Sequence, residues 1–372
     1  MSEWQNTTLG DVITLHYGKA LKAQNRIVGN IPVYSSAGIT GYHNEPLVMS
    51  KGIIIGRKGT VGKVYYSPEP FFCIDTAYYI LPNETKYDFI WLYYQLGTIG
   101  LEELNEDSAV PGLNRTTAYS QDILIPSIAE QKAIASVLSS LDNKIDLLHR
   151  QNKTLESMAE TLFRQWFVEE AQDDWDEIKL GALVTVKRGG SPRPIQDYIS
   201  DSGYRWLKIS DVTGINSPFI FDIKEHIKEE GLPKTTLLKA GKLVLSNSAT
   251  PGIPKILMVD SCIHDGWLHF PVSALSNEFL YILFKHIRSE LVQLGNGSIF
   301  TNLKTDILKE FPIKKPNEDF LQKFQLIMDP IFNGILGNTK QIQTLENLRD
   351  TLLPKLMSGE VRVKYTPEEI KQ

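Results

Sequence analysis

Two stretches of this chain carry apolar residues at alternating spacings of four and three, and the rest is patterned in shorter runs. In the first, Ile134, Leu138, Leu141, Ile145, Leu148, Asn152, Leu155, Ala159, Leu162 and Trp166 share one face for more than four heptads. That is the seam of a long helix packed against a partner helix. Ser127 and Glu130 form a Ser-x-x-Glu box directly after Pro126. Such a box starts a helix, because the two side chains satisfy amide hydrogens that the first turn leaves unpaired. At 1.5 Å per residue the helix is roughly 60 Å long. The same register moved 190 residues on gives Phe324, Met328, Ile331, Ile335, Asn338, Ile342, Leu345, Arg349, Leu352 and Leu356. This second seam includes Pro330, Gly334, Gly337 and the charged Arg349. A kink or interruption is therefore expected near Pro330, whose ring removes a hydrogen-bond donor and crowds the preceding turn.

Each seam holds one asparagine. If the helices pair antiparallel with Leu148 facing Ile342, Asn152 faces Asn338, and a buried asparagine pair fixes register at some cost in stability. Two unrelated exposed asparagines are the other reading. Outside the seams, Gly52–Gly56 and Lys242–Ser246 are short apolar runs bounded by turn residues and are read as strands. Phe89–Leu96 and Phe279–Ile287 are aromatic-rich and are read as short buried helices.

The chain repeats itself. Leu9-Gly10 recurs as Leu180-Gly181 and Gly18 as Gly189, both 171 residues on. Beyond that the offset is 189–190: Gly52 with Gly241, Cys73-Ile74 with Cys262-Ile263, Phe89 with Phe279, Pro126 with Pro316, and Thr154-Leu155-Glu156 with Thr344-Leu345-Glu346. The jump requires an insertion of about eighteen residues between Arg193 and Lys239 in the second copy. The expected organisation is α+β, with mixed α/β domains at 1–126 and 171–315. Each precedes a long helical segment, at 127–170 and at 316–372, and the two helices form an antiparallel coiled coil about a pseudo-twofold axis.

Composition changes this picture little. The 42% hydrophobic and 22% charged content is that of a globular protein, and no apolar run approaches a membrane span. A start without a basic, apolar leader and only two cysteines, Cys73 and Cys262, point to a cytoplasmic protein without a disulfide framework. The cysteines stand at equivalent repeat positions and are read as buried core thiols. The net charge of −5 is unusual for a free-standing nucleic-acid binder, unless the charge is segregated. Glu102-Glu103 with Glu106-Asp107 are read as an outward acidic patch.

Catalytic patterns are lacking. Gly56–Val64 resembles a phosphate-binding loop, but five residues separate its first glycine from Gly62-Lys63, and Val64 replaces the Ser or Thr that would hold magnesium. The seven histidines show no metal-ligand spacing. Asp265, near His264 and His269, is read as part of a surface loop, and Asp222-Ile223-Lys224 is an isolated fragment of a nuclease-like pattern. No cofactor or metal is implied, which favours binding over catalysis.

The segment Ile125-Pro126-Ser127-Ile128-Ala129-Glu130-Gln131-Lys132-Ala133-Ile134, continuing to Leu141-Asp142-Asn143-Lys144-Ile145, resembles the first conserved region of specificity subunits of type I restriction–modification systems. Leu162-Phe163-Arg164-Gln165-Trp166-Phe167 and Leu352-Leu353-Pro354-Lys355-Leu356-Met357-Ser358-Gly359-Glu360-Val361 are similar to that family's helix endings. The second copy departs from the pattern, with Asn317-Glu318-Asp319-Phe320 in place of the Ser-Ile-Ala-Glu-Gln run. The resemblance implies a non-catalytic subunit whose two target-recognition domains read the halves of a split, asymmetric sequence in double-stranded DNA. It implies helices that hold the halves apart and dock two methyltransferase subunits, with separate restriction subunits that translocate and cut. Base reading needs forked donors, and phosphate contacts need cations, hydroxyls or amides. The glycine-rich turns then supply the candidates: Lys19, Lys22, Arg26, Arg57, Lys58, Thr60 and Arg115 in the first domain, and Lys187, Arg188, Arg193, Asn247, Ser248, Thr250 and Lys255 in the second. Two other classes stay open: a diverged DNA methyltransferase or nuclease with its own active site, and a coiled-coil scaffold without a DNA role.

Overall fold

Both apolar seams form helices, Ile128–Arg164 and Glu318–Met357, of 37 and 40 residues. They belong to a computed structural model that describes residues 4–83, 85–104, 112–171, 175–295 and 302–364. The chain divides into two units, Met1–Asp146 with Gln343–Gln372, and Leu147–Ile342. Every seam position is buried or half-buried. Of the kink or interruption expected at Pro330, the interruption is absent, since one helix continues through it. Met328, Ile331 and Phe332 on either side are all buried, and packing of that face outweighs the one hydrogen bond that proline removes. Among the described residues no helix is long and apolar enough to cross a membrane.

In the first unit a four-stranded antiparallel sheet runs in the order His16–Tyr17, Ala77–Ile80, Gly52–Gly56, Val64–Ser67, with Gly52–Gly56 fully buried as its hydrophobic run demands. Beside it, Ile31–Ser35 pairs with Gly38–His43 and, in parallel, with Phe72–Cys73. Gln5–Thr8 pairs with Asp122–Ile125. The helix Phe89–Leu96 lies where the aromatic run placed it, capped by Asp88 Oδ1, which accepts from the amides of Ile90 and Trp91 at 3.1 and 2.9 Å. The core joins Ile53, Ile55, Tyr78, Trp91 and Leu92 to Ile134 and Leu138 of the first long helix, and to Leu356 and Met357 of the second. Asp142 and Arg349 form an ion pair of 2.9 Å between the two helices. That pair explains how a charged residue occupies a seam position.

The Glu130-Gln131 step is an internal anchor of this unit. Ser127 Oγ caps the helix by accepting from the Glu130 amide at 3.3 Å. The Glu130 carboxylate does not complete the box, however. It accepts from Trp4 Nε1 at 3.2 Å and pairs with Arg362 at 2.6 Å. Gln131 is fully buried; its Nε2 donates to the Pro126 carbonyl at 2.9 Å and its Oε1 accepts from the Asp88 amide at 2.7 Å. One side chain thus ties the start of the long helix to the cap of Phe89–Leu96.

The second unit repeats the plan with additions. Its strand order Lys187–Arg188, Trp267–His269, Leu243–Ser246, Pro254–Leu257 matches the first sheet, and Phe219–Ile220 adds a fifth strand in parallel. Ile199–Ser200, His226–Ile227, Tyr204–Leu207, Ser261–Ile263 and Thr236–Leu238 form another sheet. Phe219–Ile220 and most of this second sheet lie in the segment where the sequence places its insertion. Phe163, Phe167, Phe279 and Phe324 pack ring to ring at 4.8–6.1 Å, and Trp175 and Phe320 meet at 5.0 Å.

The expected Asn152–Asn338 pair does not form. Asn152 Nδ2 donates to Thr339 Oγ1 at 3.3 Å, one residue further along. Thr339 in turn donates to the Ile335 carbonyl at 2.7 Å, which leaves its hydroxyl oxygen to accept. Leu155 lies over Gly334, where an added Cβ would come within 3.2 Å of Leu155 Cδ1. Asp142 likewise pairs with Arg349, one residue beyond the position that the Leu148–Ile342 register assigns it, so the offset is the same at both contacts. In each unit a later residue of one helix meets an earlier residue of the other, so the helices run antiparallel there.

Gln131→Leu keeps the volume but strips the Asp88 amide and the Pro126 carbonyl of their partners. We expect it to lower the unfolding free energy by about 1–3 kcal/mol, measured by urea titration against the wild type, with an unchanged midpoint ruling out the anchoring role.

Candidate nucleic-acid interface

The turn after the buried strand Gly52–Gly56 is rebuilt in the second unit after Leu243–Ser246. Gly62 donates to the Gly56 carbonyl at 2.8 Å, and Gly252 to that of Ser246 at 2.8 Å. Both glycines have positive φ, +74° and +80°, which closes the turn without the strain a side chain would bring. The Arg57 amide donates to the Thr76 carbonyl at 2.9 Å, as the Asn247 amide does to that of Gly266. Leu113 donates to the Arg57 carbonyl and Leu303 to that of Asn247, both at 2.8 Å. These hydrogen bonds coincide at a constant offset of 190, while the side chains differ: Arg57 becomes Asn247 and Lys58 becomes Ser248.

In the first unit this frame opens a cleft of about 380 Å³ lined by Tyr17, Arg57, Lys58, Tyr78, Asn114, Arg115 and Thr116, among others. The Arg57 guanidinium lies 5.0 Å from the Tyr17 ring and 5.7 Å from the Tyr78 ring, and its Nη1 donates to the Asp75 carbonyl at 3.1 Å. Arg115, at the start of the short helix Arg115–Tyr119, lies 5.3 Å from the same Tyr17 ring. Two guanidiniums therefore share one tyrosine, worth about 0.5–2 kcal/mol each. No carboxylate is among the described residues that line the cleft. The arrangement presents fixed positive charge and forked donors, which suits phosphates and base edges.

In the second unit Asp265 organises the cations. Its carboxylate accepts from the Ser191 hydroxyl at 2.7 Å and pairs with Arg193 at 3.2 Å and Arg188 at 3.8 Å. Its carbonyl accepts from Arg188 Nε and from Asn247 Nδ2. Partial burial works to raise the Asp265 carboxyl, but the Ser191 hydroxyl, Arg188 and Arg193 outweigh it and hold the group below the usual carboxylate range. Burial pushes the neighbouring His264 down, and its Nδ1 accepts from the Gly266 amide at 2.8 Å, the role of a neutral ring. Asp265 is accordingly an ion-pair centre rather than part of a plain surface loop. Among the described residues no group of His, Cys, Asp or Glu is placed to hold a metal ion.

The remaining candidates scatter around these two centres. Lys19 and Lys22 are exposed beyond the strand His16–Tyr17. Arg26 is turned back on its own unit, its Nη1 donating to the Thr40 carbonyl at 2.5 Å. Thr60 is exposed within the turn, and Lys187 is exposed on the edge strand. Ser248 and Thr250 are half-buried, and Asn247 is buried. Of the acidic patch, Glu102 and Glu103 are exposed, and Glu106 and Asp107 lie outside the described residues. Sequence reasoning missed Tyr17, Tyr78, Asn114 and Thr116, which carry no signal without the cleft. It also missed the role of Asp265, whose signal was available as the repeat equivalent of Asp75. Cys73 and Cys262 are fully buried, and burial pushes their thiols up to about 12 and about 11.

Comparison with known proteins supplies the context. The family described as type I restriction modification DNA specificity domain matches residues 1–157 and again 172–347. The MjaIX specificity subunit of a type I restriction enzyme from Methanocaldococcus jannaschii is 26% identical over 350 residues, covering 85% of this chain and 79% of the relative. The MjaVIII specificity subunit of the same organism is 23% identical, covering 97% and 94%. The crystal structure of the S subunit of a type I restriction–modification system from M. genitalium superposes with a TM-score of 0.66 at 17% identity, covering 98% of this chain and 97% of that one. That likeness speaks for the fold.

Lys255 is a correction. It belongs to the buried strand Pro254–Leu257, is 4% exposed, and donates from Nζ to the carbonyls of Ile215 and Ser217 at 2.6 and 2.5 Å. It braces the added segment instead of meeting a phosphate. Burial lowers its ammonium to about 8 from 10.5. Below pH 8 both folded and unfolded chains hold this proton, and the burial cost is complete. Between pH 8 and 10.5 the unfolded chain binds more protons, so this group's contribution to stability rises with pH. We expect the stability difference between wild type and Lys255→Met to move in the wild type's favour over that window, by on the order of 3 kcal/mol. Parallel pH profiles from denaturant titrations would sink the assignment.

Proposed function

The chain belongs to the type I restriction–modification DNA specificity family, and from that premise we propose that its two repeats each read one half of a split, asymmetric target in double-stranded DNA. It is a specificity subunit, a recognition component without catalysis of its own. In this reading residues 1–126 and 171–315 are the two target-recognition domains. The helical segments 127–170 and 316–372 set the distance between the half-sites, and a span of roughly 60 Å exceeds one duplex turn of about 34 Å.

The observation that carries the reading is the repeated turn, one backbone frame with exchanged side chains. Two readers of different sequences need the same scaffold to present different groups. Arg57, Lys58, Thr60 and Arg115 would face the first half-site, with Lys19, Lys22 and Arg26 near its edge. Lys187, Arg188, Arg193, Ser248 and Thr250 would serve the second; Asn247, buried and donating from Nδ2 to the Asp265 carbonyl, is corrected to a brace of the turn. Phosphate contacts position such a protein and base contacts specify.

The chain would act in the cytoplasm, docked to two methyltransferase subunits that bind S-adenosylmethionine and methylate adenine, together with restriction subunits that use ATP. It would hold no cofactor itself. A net charge of −5 leaves little to attract a polyanion at long range, so DNA reading is expected mainly within the complex.

Replacing residues 1–126 by the corresponding domain of another specificity subunit should change one half of the target and leave the other intact. Mapping of methylated adenines in cells that carry the hybrid with its methyltransferase reads this directly; changes in both halves, or in neither, defeat the two-reader model.

A further inference from the structure

The two units put an arginine on the same backbone atom by different routes. In the first, Arg57 of the turn donates from Nη1 to the Asp75 carbonyl. In the second, position 57 is taken by Asn247, which is buried, and no guanidinium is available there. Arg188 donates instead from Nε to the Asp265 carbonyl, the equivalent of Asp75 at the offset of 190. Arg188 stands on the edge strand where the first unit has Tyr17, at the offset of 171. The guanidinium has moved from the turn to the strand, yet it keeps its anchor.

Each anchor fixes one edge of a planar fork. Arg57 spends one nitrogen on the carbonyl and lies against Tyr17 and Tyr78. Arg188 spends Nε on its carbonyl, and the Asp265 carboxylate lies 3.8 Å from Nη2 as an ion-pair partner. Its side chain is 51% exposed, and Arg57 lines an open cleft. A guanidinium held in this way has lost most of its rotational freedom before any ligand arrives. Preorganisation of that kind serves a directional contact better than a diffuse phosphate contact, for which the exposed Lys58 and Lys187 suffice.

We infer that Arg57 and Arg188 are specificity-determining residues, each contacting a guanine through O6 and N7 in its own half-site. Asp265 is the positioning residue for Arg188, and Tyr17 with Tyr78 takes that part for Arg57. The inference rests on the two-reader assignment and adds the base and the residue that reads it.

The test uses the full chain with its methyltransferase and maps methylated adenines for Arg57→Lys, Arg57→Ala, Arg188→Lys and Arg188→Ala. Lysine retains the charge but cannot form the fork. Arg57→Lys should relax one G·C position by roughly 10- to 100-fold, in the half-site that exchange of residues 1–126 alters, and leave the other unchanged. Arg188→Lys should do the converse, and Asp265→Asn should partly reproduce it. The inference is overturned if the motif stays intact while methylation falls uniformly, which marks a phosphate contact. It is also overturned if the relaxed position is not a G·C pair, or if the lysine variants fail to copurify with the methyltransferase, which marks a folding role. An exchange of 1–126 that switches one half-site while Arg57→Lys leaves the motif unaltered would retain two readers and reject this residue.

Discussion

Neither unit closes its apolar core without segments from both long helices, and the rest of the structure follows from that dependence. In the first unit Ile134 and Leu138 from one helix and Leu356 and Met357 from the other complete a core begun by the sheet and Phe89–Leu96. In the second, Ala159 and Phe163 meet Phe324, Met328, Ile331 and Ile335 under the sheet that holds Leu243–Ser246. Large side chains from elements far apart in sequence share these cores, and each such residue contributes about 2–5 kcal/mol against truncation. A recognition domain built this way is held rigidly on its helices instead of on a flexible linker. That rigidity is what the proposed spacer between two half-sites would require.

The repeated turn separates a backbone scaffold from the side chains it carries. Its hydrogen bonds run from backbone to backbone and use Gly62 and Gly252 for the one conformation that excludes a side chain. Nothing in that frame depends on the identity of residue 57 or 247, so these positions are free to differ. The second copy has used the freedom further. Its inserted segment is tied to the sheet by Lys255 and to the helix by Ser217, whose hydroxyl lies 3.3 Å from that of Thr339. The insertion thus enlarges the second unit while taking part in the same core.

Much of this was legible in the sequence. The heptad seams, the two short aromatic helices and the strands Gly52–Gly56 and Leu243–Ser246 follow from periodicity that one buried face imposes. The repeat was legible because equal offsets accumulate over many weak matches. A break at Pro330 was expected because a local propensity was weighed without the packing of Met328 and Ile331 that keeps the helix continuous. The Asn152 pairing failed by a single residue because periodicity marks which face of each helix is buried but not how the two faces are aligned along the axis. Lys255 was chosen by residue type in a strand whose burial on both faces shows only in three dimensions. Tyr17 was invisible because its importance comes from Arg57 and Arg115, residues 40 and 98 positions away, which reach it only in the folded unit.

The Glu130-Gln131 step shows why a distinctive motif is a weak guide to an interface. Both side chains are consumed internally, by Trp4, Arg362, Pro126 and the cap at Asp88. Such a motif identifies the family by what it does for the fold, since a helix that starts one residue off would displace the whole core. The electrostatics point the same way. In the second unit Asp265 offsets the charge of Arg188 and Arg193, and ion pairing that orients a fork also weakens its pull on a polyanion. Affinity for DNA grows with the number of phosphates neutralised, whereas specificity grows with the precision of a few forks. In the proposed reading this chain would serve the second, and its negative charge would leave the first to partner subunits.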